Sequence, residues 1–217
     1  MSNWMTDQDN LDKLNVSGYE VPKDIFQWLK DVSLDAKKNG KDFRNRLAGQ
    51  LSEEYEIKDR TEEFEAWLAN CSTTGNVYQS WKEMIVLNEN APIMLQNLWV
   101  NYQKKYEFNP LHTHSGFVSF VIFMSIPYNL QDEEDMFKEA NNKHASKFGF
   151  FSPDHRYPGG IDLVSLNVDK SYMGKMIMFK SSQVHGVYPF YTSNDYRITV
   201  SGNLYLNPVT KPSVSYY

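Results

Sequence analysis

Hydrophobic positions change their spacing once along this chain. Before about residue 90 they recur at helical intervals. In VPKDIFQWLKDV, Ile25, Phe26, Leu29 and Val32 fall on one helical face, with Pro22 near its start and Gly40 just past its end. TEEFEAWLANC predicts a second helix, with Glu62 and Glu63 complementing the dipole at its start and Phe64, Trp67 and Leu68 on one side, before STTGN breaks the pattern. From about Ala91 the runs IMLQNLWVNYQ, FVSFVIFMSI, GKMIMFK and DYRITVSGNLYL are short, rich in β-branched, aromatic and Met residues, and separated by turn formers. That is the pattern of strands. The reading is a mainly β chain with N-terminal helices: 1–90 as helical support within the same domain, 91–208 as the β core, and 209–217 as a surface tail. Within the core, 129–160 reads as a long insertion. NLQDEEDMFKEANNK is acidic and FFSPDHRYPGG is dense in turn formers, which suits a lid over a site.

The last strand has a finer pattern. Arg197, Thr199, Ser201 and Asn203 alternate with Tyr196, Ile198, Val200 and Gly202, so one face is polar and the other mostly apolar. An ordinary sheet with one solvated face would give this, and so would a barrel lined by the polar stripe, in which Arg197 clamps a carboxylate through its planar fork. Trp99, Asn101 and Gln103 likewise share one face of the run before it.

Candidate chemistry centres on NPLHTHSGF. His112 and His114 are two apart, so in extended chain both imidazoles address one point, where a metal is the obvious occupant. His185 follows another β run and could complete such a site. His144 in NNKHASK and His155 in PDHRYPGG sit in polar segments and read as surface residues.

Composition removes several function classes. The 217 residues are 41% hydrophobic, 15% aromatic and 23% charged, enough to bury a sizeable core. A net charge of -5 argues against broad attraction to nucleic acid. Cys71 is the only cysteine, which excludes an intrachain disulfide and fits a reducing compartment. The N-terminus is polar and acidic, unlike a signal peptide, and the longest apolar run, Phe117 to Ile126, is too short to span a bilayer. A cytoplasmic protein is expected, in the host cytoplasm if the chain is virus-encoded, with neither nucleic acid nor membrane as partner.

The segments NPLHTHSG, FKSSQVHGVYPF and YRITVSGN resemble the Fe(II)- and 2-oxoglutarate-dependent oxygenases, and the group found in tailed phages and marine bacteria, related to prolyl hydroxylases, above all. RLAGQLSEEYEI extends the likeness into the N-terminal part. The resemblance implies a double-stranded β-helix, a cupin-like jelly-roll barrel. It implies a metal held by His112, His114 and His185, with His114 standing where the wider superfamily has a carboxylate. It also implies 2-oxoglutarate bound by Arg197, with Thr199 as hydroxyl partner and Asn101 lining the pocket. The activity implied is hydroxylation of an unidentified small-molecule or peptidyl substrate, coupled to decarboxylation of 2-oxoglutarate to succinate, with ascorbate in a supporting role. Two other readings stand beside it: a three-histidine dioxygenase that does not use 2-oxoglutarate, and a non-catalytic jelly-roll binding or virion module.

Overall fold

The computed structural model describes residues 11–206 apart from 13, 76, 78, 80–92, 155 and 156, so His155 and the tail 209–217 lie outside the described residues. In chain order the elements are β1 (Ser17–Glu20), α1 (Lys23–Asn39), β2 (Glu54–Glu56), α2 (Glu62–Thr74), β3 (Ile93–Gln103), β4 (Asn109–His112), β5 (Val118–Ser125), α3 (Leu130–Asp135), β6 (Phe148–Asp154), β7 (Gly160–Leu166), β8 (Lys175–Lys180), β9 (His185–Val187) and β10 (Arg197–Leu206). A large antiparallel sheet runs β1-β8-β5-β10-β3-β2 and a small one β4-β9-β6-β7. This is the expected jelly roll.

The two helices cover the outer face of the large sheet. Helix α1 buries Ile25, Leu29, Ser33 and Ala36, successive positions of one helical stripe. It stops at Gly40, whose N–H reaches the Ala36 carbonyl, and a Cβ there would lie 2.3 Å from that oxygen. Helix α2 starts at Thr61, whose hydroxyl accepts the Phe64 N–H, and carries Glu62, Glu63 and Glu65 in its first turn. Phe64 packs against Trp28, Trp67 and Phe120, joining both helices to the sheet.

Strand β5 shows why one run serves two cores. Phe120, Ile122 and Met124 face the helices with Leu98, Val100 and Val200, whereas Val121 and Phe123 face the small sheet with Phe148, Phe150 and Phe179. The period of two sorts alternate residues to opposite sides. The same period turns the polar stripe of β10 inward, between the sheets.

Residues 1–90 do more than support. β1 and β2 close the two edges of the large sheet, so the segment is part of the β framework as well as its helical cover. The interval 129–160 is not uniform either. Residues 148–154 form β6, paired on both sides within the small sheet. Its first half is anchored through α3: the fully buried Glu133 carboxylate accepts the N–H groups of Tyr191 and Thr192 and the Thr192 hydroxyl. Periodicity alone did not separate β6 from its turn-rich surroundings, because FFSPD carries a proline and precedes more turn formers.

Candidate metal centre

Cross-strand pairing creates the site. His112, the last residue of β4, is the register partner of His185, the first of β9. His114 lies just past β4, its N–H bound to the Ser181 carbonyl at 2.8 Å. Among the described residues these three offer ring nitrogens all within 4.8 Å of one another. His185 is 2% exposed, stacked on Phe148 and edge-on to Phe179, while Trp99 stands against His114.

Two of the rings have their tautomer fixed. His112 Nδ1 donates to the Pro110 carbonyl at 2.7 Å and His185 Nδ1 to the Gln183 carbonyl at 2.9 Å, which leaves each Nε2 with a lone pair. Burial, the first cause in each case, lowers all three imidazoles in pKa. His114 falls to about 4, aided by His112, and His185 falls well below the ordinary value. They are therefore neutral at neutral pH, the state a metal ligand requires. The donor set fits a divalent transition metal.

The cluster opens into a small cavity of about 50 Å³. Arg197, Asn101 and Thr199 line it together with the histidines. Arg197 is 3% exposed, yet it is not short of acceptors. Nε and Nη2 share Gln103 Oε1, Nη2 also reaches the Tyr188 carbonyl, and Nη1 binds Tyr128 Oη and the Ser146 carbonyl. Sequence reasoning expected a buried arginine needing an anion; neutral partners supplied by Gln103, Tyr128, Ser146 and Tyr188 satisfy all five N–H donors instead. Thr199 is not bonded to Arg197: its hydroxyl accepts from Asn101 Nδ2 at 3.0 Å. Asp154 ends β6 and is no part of the histidine group. His144 stacks on Tyr188 and is only partly exposed. Cys71 is buried, with its thiol pushed up to about 12 by burial, and is inert.

Glu54 was missed. It is 2% exposed on β2, lines the same cavity, and among the described residues its Oε2 has no hydrogen-bond partner. In SEEYEI nothing distinguishes it from a solvated edge-strand glutamate. Burial first, and then Glu107 and Asp42, push its carboxyl up to about 7 against a smaller pull from Arg44. A carboxyl raised on folding adds stability that is complete below its unfolded value and is lost as pH rises through the folded one. Wild type is therefore expected to weaken between pH 5 and pH 8. Glu54→Gln should recover about 2 kcal/mol at pH 8, with residual solvent screening allowed for, and little at pH 5. Urea denaturation at both pH values checks this; an equal effect at both would contradict it.

The fold and the histidine group together define a jelly roll with a candidate metal centre between its sheets. Residues 97–203, which span that centre, match the family described as "Putative 2OG-Fe(II) oxygenase". The match takes in the β core that carries the histidine group, just under half of the chain, and the family it names is one of oxidoreductases. The fold of this chain is similar to that of a Pseudomonas putida prolyl-4-hydroxylase, with a TM-score of 0.54 at 13% identity over 92% of this chain and 96% of that one. AviO1 from Streptomyces viridochromogenes is similar with a TM-score of 0.52 at 11% identity, over 95% and 97%. No curated protein matches the sequence. No helix among the described residues is long and apolar enough to cross a membrane.

Proposed function

We propose that His112, His114 and His185 hold one Fe(II), and that the chain uses it with 2-oxoglutarate to hydroxylate a small-molecule or peptidyl substrate in the cytoplasm. The convergence of three neutral imidazoles, two with their tautomer set by a backbone carbonyl, carries this reading. Bound iron would supply oxygen activation coupled to decarboxylation of 2-oxoglutarate to succinate. The residues do the rest. Three neutral ligands leave the metal its full double charge, where a carboxylate would remove one unit, and this favours an anionic cosubstrate. Arg197 fixes the far carboxylate. The guanidinium is cationic, its hydrogen-bond acceptors are all neutral, and Gln103 Oε1 occupies a two-pronged position that a carboxylate can take over. Phe148, Phe179 and Trp99 wall the cluster and limit water.

One observation favours a second reading. Because every Arg197 donor already has an acceptor, a three-histidine dioxygenase that ignores 2-oxoglutarate is compatible with the same geometry. Incubation with 2-oxoglutarate, Fe(II) and ascorbate separates the two. Iron-dependent succinate is the expected product, and a reaction that oxidises substrate while leaving 2-oxoglutarate intact would establish the second.

A further inference from the structure

One side chain stands between Arg197 and the histidine cavity. Of the groups that accept the Arg197 donors, two are backbone carbonyls, those of Ser146 and Tyr188. A third is the phenol of Tyr128, a fully buried ring that itself donates to the Ser146 carbonyl. Gln103 is different. Alone among the four it lines the cavity together with Arg197, and it does so on a long rotatable arm. It is the register partner of Arg197 across β3 and β10. Its Oε1 accepts from Nε at 2.9 Å and from Nη2 at 2.7 Å, the two-pronged place that a carboxylate takes on a guanidinium.

With Gln103 in that place the cavity measures about 50 Å³, room for one or two waters at about 30 Å³ each but not for a dicarboxylate. Strands β3, β5, β9 and β10 supply most of the wall, and each is paired on both sides, so space is gained by moving side chains rather than backbone. The bonds that hold Gln103 are readily exchanged. Oε1 gives up two bonds to the guanidinium, which an incoming carboxylate replaces with charge-assisted ones about twice as strong as neutral pairs. Nε2 gives up the Glu107 carbonyl, which lies in the partly exposed turn between β3 and β4, where water can take its place.

Resting on the oxygenase reading above, we infer that Gln103 is an internal competitor for the cosubstrate. Its amide oxygen holds the guanidinium in place of the distal carboxylate and swings away when a dicarboxylate arrives. Every such ligand bears the cost of displacing it, so the observed affinity falls by the fraction of molecules in which Arg197 is free. The side chain thereby sets how strongly an anion must bind in order to enter.

The test titrates N-oxalylglycine by calorimetry into the zinc-loaded full chain, as wild type, Gln103→Ala and Gln103→Glu, so no turnover is needed. Removing the competitor should tighten binding roughly tenfold, the correction for a competent state populated at about 10%. A side chain that merely supported the fold would weaken binding when truncated. Gln103→Glu sets a permanent carboxylate against Arg197 and should weaken binding roughly a hundredfold, because two anions then contend for one fork. Zinc affinity should be equal in all three proteins, since Gln103 is outside the histidine group. An alanine variant that binds as wild type does or more weakly, or a glutamate variant that binds as tightly as wild type, would overturn the inference. If the alanine variant does not fold, the glutamate variant decides alone. Succinate formation from 2-oxoglutarate, measured on the wild type loaded with iron, reports on the oxygenase reading separately.

Discussion

Arg197→Ala is expected to destabilise the fold by about 3–5 kcal/mol, the range for removing one member of a buried charged network. The guanidinium ties together four separate pieces of chain: Gln103 at the end of β3, Tyr128 after β5, Ser146 ahead of β6, and Tyr188 after β9. Alanine would leave those acceptors without their donor in a space that is 3% exposed at Arg197, where only water entering the vacated volume could replace five N–H bonds. Tyr128 would keep its own bond to the Ser146 carbonyl, so part of the network survives. Chemical denaturation reads the loss directly, and a variant as stable as wild type would show that the network contributes nothing. Loss of ligand binding in the alanine variant would consequently be uninterpretable. Arg197→Lys is the informative change. It keeps the charge and some of the bonds, and should fold while binding N-oxalylglycine roughly tenfold more weakly, because a point charge cannot reproduce the planar fork.

His185→Ala is expected to lower metal affinity by more than the roughly 100-fold that substitutions around a metal's ligands reach. His185 is the only ligand candidate that is fully buried, held between Phe148 and Phe179 with its Nδ1 fixed, so it is the least able to be replaced by a moving neighbour. Two imidazoles from a single short segment would remain, too few for a site that keeps open positions for its ligands. Truncation inside a packed aromatic cluster also costs stability, so the partly exposed His112→Ala serves as the companion variant. Both should lose metal in an anaerobic Fe(II) titration; retention of wild-type affinity in both would remove the histidines from the site.

Much of this was legible in the sequence, for identifiable reasons. Strict alternation in YRITVSGN sorted the residues of β10 into a polar and an apolar face, without saying which turns inward, and the spacing of His112 and His114 put both at one point. The wall opposite was not legible. Glu54 becomes a cavity residue only because β2, a three-residue strand, pairs with β3, and nothing local to SEEYEI encodes that partner. The acceptors of Arg197 come from positions far apart in the chain, two of them backbone carbonyls that have no sequence signature. The anchoring of residues 129–160 depends on Glu133, one of several acidic residues in an apparently solvated run, which is distinguished only by tertiary contact with Tyr191 and Thr192.

The central claim is that one metal, held by the three histidines, receives the 2-oxo acid. Calorimetric titration of N-oxalylglycine into the anaerobic wild-type protein, metal-free and then loaded with Fe(II), tests it most directly. Binding should be strong and stoichiometric with iron and collapse without it, and it should be absent from His185→Ala under both conditions. Equal affinity in the metal-free and iron-loaded protein would mean that the ligand is held elsewhere, and would contradict the account.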